Sequence, residues 1–183
     1  TMNQSKLARL SGFVYLVLIC TGIFGLAYVP SSLIVWDNPA KTVTNIHNAD
    51  LLFRLGILSE IMCFICFLLL PLLLYRLFSS VSKNAAVLMV AFAVVSIPVS
   101  LLNLTNKINI LSLLSSNEFL KLGVTPELSE RVMYLLTSFN NGTLIANIFF
   151  MLEPALFKLI GAGLATISLA GSGAGIGIVF LFL

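Results

Sequence analysis

Charge is what this sequence has least of. Asp, Glu, Lys and Arg together make up 9% of its 183 residues, against roughly 25% in soluble domains. So few charges cannot cover the surface of a water-soluble domain of this length, and the apolar surface left over must face lipid. A mean hydropathy of +1.08 agrees. The formal net charge is only +3, and no Lys/Arg cluster forms a stripe, which excludes nucleic acid as a partner. Histidine is nearly absent too: His47 stands in a polar segment without an obvious catalytic partner. The three cysteines are Cys20, Cys63 and Cys66. Cys63 and Cys66 form a CxxC, but a redox pair needs water and zinc needs further ligands, and neither accompanies them. All three thiols read as inert, buried or lipid-facing. With no GxSxG, HExxH or GxxxxGK[ST] present, nothing supports an enzyme, a cofactor or a resident metal.

What the chain has in abundance is long apolar runs. About 20 apolar residues cross a hydrocarbon core of about 30 Å, and five segments meet that length. The first covers residues 10–29 and is closed by Pro30; it follows Lys6 and Arg9 but shows no clear cleavage site, so it reads as a retained helix. Thr1 before Met2 reads as an added residue. Residues 30–50 carry two prolines, charges and Trp36, and read as a loop with an interfacial anchor. The second span lies within residues 51–78, with a kink expected at Pro71. The third runs from Ala85 through Pro98 toward residues 103–109. A polar connection follows, in which Thr125 is the expected cap and Pro126 the first helical residue of the next helix. The fourth span covers about 128–153 and the fifth begins at 155. The expected fold is all-α, a polytopic membrane bundle of about five transmembrane helices. Its parts are a four-helix unit over residues 1–153 and a glycine-rich fifth helix over 154–183.

Basic residues set the orientation. With the N-terminus inside, Lys6, Arg9, Arg76, Lys83 and Lys158 are cytoplasmic, while Lys41, Arg54, Lys121 and Arg131 are outside. The inside set lies on short loops near helix ends, where the positive-inside effect is counted, and this favours a cytoplasmic N-terminus.

An ionisable group within a bilayer costs about 2.5–3.5 kcal/mol on insertion scales, so each calls for a partner. Glu60 lies roughly 14 Å into the second span. Lys107, by the same reckoning, falls near the outer interface, where a lysine snorkels. Around the depth of Glu60 the chain offers the amides Asn103, Asn106 and Asn109 on the third span and Asn140, Asn141 and Asn147 on the fourth. Asn103 and Asn106 share a helical face, as do Asn140 and Asn147. A bundle that placed Glu60, Asn106, Lys107 and Asn140 in one interior cluster would satisfy them all. Such a cluster is either a ligand or ion pocket or interhelical polar glue, worth about 0.6–2 kcal/mol per contact.

Near the end, "GAGLATISLAGSGAGIG" is neither a phosphate loop nor a linker, since apolar residues flank it and no strand-to-helix context surrounds it. Gly171 with Gly175, and Gly173 with Gly177, are each four apart and make small-residue faces for close helix packing. Gly161 and Gly163 lead into them. The expected partners are the lipid bilayer and, through this face, other membrane helices or further copies of the chain.

Two resemblances emerge. "SGFVYLVLICTGIFGLAYVPSSLIV", "LLFRLGILSEI", "LLPLLLYRLFSSVSKNAAVLM" and "VTPELSERVMYLL" resemble a bacterial family of multi-pass membrane proteins known only as a domain of unknown function, over about residues 6–150. This resemblance implies a helical bundle and brings no activity. "KLIGAGLATISLAGSGAGIGIVF", residues 158–180, is similar to the first helix of the c subunit, the rotor proteolipid of F-type ATP synthases. That likeness implies ring-like packing through the glycines and, as an alternative function, an ion- or proton-handling component. The second helix that carries the proton-binding carboxylate in that family has no counterpart here. Two resemblances meeting near residue 150 point to a chimera, a designed chain, or a chain whose last part is misassigned.

Overall fold

The computed structural model describes residues 4–79, 83–116, 119 and 122–160, with side chains described as far as residue 146, residues 4 and 85 excepted. Among them the elements are helical throughout and no strand occurs. Helix α1 spans Gln4–Gly22, a π-helical segment spans Ile23–Tyr28, and α2 spans Val29–Leu33. A short α3 covers Pro39–Asn48, α4 covers Asp50–Phe78 and α5 covers Lys83–Leu114. The last described helix, α6, covers Pro126–Ile160.

Three stretches are long and apolar enough to cross a membrane: Ser5–Leu33, Asp50–Phe78 and Ala86–Leu114. Each has 29 residues, about 43 Å of helix, so each is long enough to cross the hydrocarbon core with length to spare for tilt. Only 11% of the apolar window of the first is buried within the chain. Phe13, Leu16, Leu58, Leu102 and Leu144 are all exposed. In water this surface would be untenable; in lipid it is the expected exterior.

Proline and helix geometry explain the first departure from expectation. Pro30 does not close the first span, because the helix continues to Leu33. Proline lacks an N–H, and its ring clashes with the carbonyl four residues back. The π-helical turn just before it widens the coil, with the Val29 N–H bonding to the Phe24 carbonyl, and this accommodates the ring without ending the helix. Helices α4 and α5 likewise run through Pro71 and Pro98.

The second departure is α3, which lies in a segment expected to be loop. The Asn38 side chain accepts from the Lys41 N–H at 3.0 Å and Pro39 takes the first helical position, a capped start. Thr42, Val43 and Ile46 form its buried face. The Thr42 hydroxyl both accepts from the Val35 N–H at 2.8 Å and donates to the Val35 carbonyl at 2.9 Å. Asn45 donates to the Leu33 carbonyl at 3.2 Å. These bonds fix the bend that carries Trp36. His47, at the end of α3, meets the Phe119 ring edge-on at 4.8 Å.

The bundle is assembled in sequence: α1 and the π segment pack on α4, α4 on α5, and α5 on α6, with α3 lying against α6. Ser59 donates to the Thr21 carbonyl at 2.9 Å and the Cys63 thiol points to the Leu18 carbonyl at 3.7 Å, tying α4 to α1. The core joins Val29, Leu33, Val43, Ile46, Phe53, Ile57, Leu104, Ile110, Val132 and Leu136 from every helix except α1. Helix α6 begins as expected, with Thr125 accepting from the Leu128 N–H at 3.2 Å, and continues through Pro154 to Ile160. The glycines Gly161, Gly163, Gly171, Gly173, Gly175 and Gly177 lie outside the described residues.

Candidate functional site

Helices α4 and α5 follow one another in the chain and pack side by side. Glu60 lies about 15 Å along α4 from its start, and Lys107 about 10 Å before the end of α5. Side chains lean toward the N-terminus of their own helix. In an antiparallel pair these two therefore lean toward each other across the small offset in depth. The Lys107 Nζ donates to Glu60 Oε1 in a buried ion pair. Glu60 is 0% and Lys107 3% exposed. The expectation that Lys107 snorkels at the interface is corrected: α5 runs on to Leu114, so the residue sits a further two turns inside and finds a carboxylate instead of water.

Glycines make room for the carboxylate. A Cβ on Gly25, within the π segment, would come within 2.8 Å of Glu60 Cγ and 3.0 Å of the Gly56 carbonyl oxygen. A Cβ on Gly56 would meet Val29 Cγ1 at 2.9 Å. The π segment and α4 thus touch backbone to backbone where Glu60 lies between them. Its second oxygen, Oε2, is buried and has no hydrogen-bond partner among the described residues. On the other side, Lys107 Nζ stands 4.0 Å from the centre of the Phe139 ring on α6, a cation–π contact that strengthens as the pair is desolvated.

The amides are deployed differently from the acid and the lysine. Asn103 donates to the Phe139 carbonyl at 2.8 Å and to Thr143 Oγ1 at 3.1 Å. Asn106 donates to the Asn103 carbonyl and to Asn103 Oδ1, at 3.1 and 3.2 Å. This chain fastens α5 to α6 one helical turn away from the ion pair. It is possible only because residue 142 is glycine: a Cβ there would fall within the Asn103 amide. Asn140 is exposed and shares with Lys107 the lining of a cavity. Asn141 is exposed and takes no part in either group.

That cavity has a volume of about 250 Å³ and is lined by Leu26, Pro30, Ile34, Trp36, Lys107, Leu136, Phe139, Asn140 and Thr143. Lys107 also reaches a small apolar cavity walled by Val29, Leu33, Phe53 and Ile57. Thr143 is committed, since its hydroxyl accepts from Asn103 and donates to the Phe139 carbonyl. The polar groups left to face an occupant are Lys107 and Asn140, with the indole of half-exposed Trp36. Gly25, Trp36 and Phe139 were not foreseen as parts of the site. For Trp36 the signal was its place in an anchor segment; for the other two the sequence carries none, because a lone glycine or phenylalanine in an apolar run marks no depth or direction.

No curated protein and no solved structure matches the chain. A family model described as Domain of unknown function (DUF4386) matches residues 10–183. The match runs on past residue 150, and nothing supports a change of ancestry there or kinship with the rotor proteolipid. A multi-pass helical arrangement with three apolar spans and a family match over nearly the whole length lead to one conclusion: the chain belongs to the DUF4386 family.

Proposed function

We propose that this protein is a membrane-embedded binding protein, not an enzyme, whose ligand seats in the cavity between α2, α5 and α6 beside Lys107. One observation carries the reading: a lysine that is 3% exposed nonetheless lines a cavity of about 250 Å³. Polar glue alone explains the Glu60 pair, but it gives no reason for a cavity of this size beside the lysine, where close packing is the norm. Concave sites with apolar walls and a few convergent polar groups are the usual form of small-molecule sites. The resident membrane in this reading is the bacterial inner membrane, with the N-terminus cytoplasmic, as the basic residues Lys6, Arg9, Arg76 and Lys83 favour. The bilayer is the partner, and the glycine face of residues 161–177 serves packing against another helix or a further copy.

Native mass spectrometry of detergent-purified protein tests the binding reading. The wild type is expected to carry a small-molecule adduct that Asn140→Phe, which fills the cavity from an exposed position, removes. An adduct pattern identical in the two proteins would overturn it. A second reading, ion or proton handling, is favoured by Glu60 Oε2, which has no partner among the described residues; proton flux in proteoliposomes that survives Glu60→Gln unchanged would dispose of it.

A further inference from the structure

We infer that the cavity is built for a neutral amphiphile with a carbonyl head, the carbonyl accepting from Lys107 Nζ and the apolar body lying between Phe139, Leu136 and Ile34. This rests on the binding reading above and adds to it the chemical class of the ligand. An ammonium has three donors. One is spent on Glu60 Oε1, and the Phe139 face engages the charge without accepting a conventional hydrogen bond. Donor capacity therefore remains on a residue that lines the cavity, and Asn140 adds an amide to the same lining.

Charge balance decides which acceptor fits. Glu60 already neutralises Lys107, and it is fully buried. A carboxylate or phosphate entering beside them would leave a net negative charge in a low-dielectric interior, an arrangement that costs several kcal/mol unless further cations are present. Among the described cavity residues Lys107 is the sole cation. A neutral carbonyl draws on the same donors without that cost. A hydrocarbon without a head would leave them unused. In size the space corresponds to about eight waters of liquid volume, enough for a ring or a short alkyl segment. The exposed residues Trp36 and Asn140 mark its open side.

Trp36 is the one tryptophan of the chain and lines the cavity, so its emission reports occupancy directly. The full-length protein in detergent is titrated with methyl nonyl ketone, undecane and undecanoate. The ketone is expected to produce a saturable change in Trp36 emission, about tenfold tighter than the alkane, as one hydrogen bond to a charged donor gives, and tighter than the carboxylate. In Glu60→Gln/Lys107→Met, which removes both charges at once and so leaves no lone buried ion, ketone affinity is expected to fall to that of the alkane. Asn140→Phe, at an exposed site, is expected to abolish the response to all three. Tighter binding of undecanoate, or equal binding of ketone and alkane, overturns the carbonyl assignment while the cavity stands as a binding site. Silence with every probe, or responses that Asn140→Phe leaves intact, overturns the cavity reading together with it.

Discussion

Glu60 and Lys107 are worth more as a test than as a source of stability. Taking two charges out of water is costly, and a buried pair returns that cost only when its geometry and remaining hydrogen bonds are good. Here one carboxylate oxygen is without a partner among the described residues. Either single change, Glu60→Gln or Lys107→Met, abandons a buried charge and is expected to cost about 3–5 kcal/mol. The double change is expected to be near neutral. Thermal melting of the four proteins in one detergent checks this, and additive losses would show that the two side chains do not meet. Gly25→Ala makes a second case at this scale. Its methyl would lie 2.8 Å from Glu60 Cγ and 3.0 Å from the Gly56 carbonyl oxygen, one of them backbone that cannot swing aside. A loss of about 1–3 kcal/mol from overpacking is expected, visible as a lower melting temperature, whereas Gly12→Ala, with open space around it, is expected to show none. The acid and its need for a partner were legible from the sequence because ionisable groups are rare in apolar runs. The glycine opposite was not, since nothing in a sequence says what a missing side chain makes room for.

Among the elements, α5 and α6 are joined by a device that depends on three residue types at once. Asn103 reaches the Phe139 carbonyl and Thr143 through the space left by Gly142. In Gly142→Ala the new methyl displaces the amide, so strain is added and two hydrogen bonds are lost together. Asn103→Ala loses the bonds but not the space. Combining them relieves the clash, and the double variant is expected to be more stable than the sum of the single losses implies. Strict additivity, read from denaturation midpoints, would break the link between the two positions. The helices themselves were legible to different degrees. Apolar length revealed α1, α4 and α5, whereas α3 was hidden because its apolar positions Val43 and Ile46 sit among polar ones. The clue available was Asn38 before Pro39, the same cap-and-proline signal that marks Thr125 and Pro126. The continuation past Pro30 was not legible, because whether a proline ends a helix depends on the turn before it, and no residue in the run announces the π-helical turn that precedes this one.

For the whole molecule, length and hydropathy were enough to read a multi-pass helical protein, since each apolar stretch has only one way to satisfy its backbone in lipid. Which side faces the cytoplasm rests on a smaller signal. The described helices nevertheless fix relative sidedness: Lys41 on α3 is separated from Lys83 at the start of α5 by the full 29 residues of α4, and both lysines are exposed. A crossing helix of that length puts them on opposite faces of the membrane. In a background with Cys20, Cys63 and Cys66 replaced by alanine, Lys41→Cys and Lys83→Cys are expected to react with a membrane-impermeant maleimide from opposite sides of sealed cells. With the N-terminus inside, position 41 labels in intact cells and position 83 only after permeabilisation. The reverse pattern would invert the orientation and leave the fold untouched. Labelling of both from one side would mean that α4 does not cross, and the interior environment argued for Glu60 and Lys107 would have to be the core of a larger assembly instead of a bilayer.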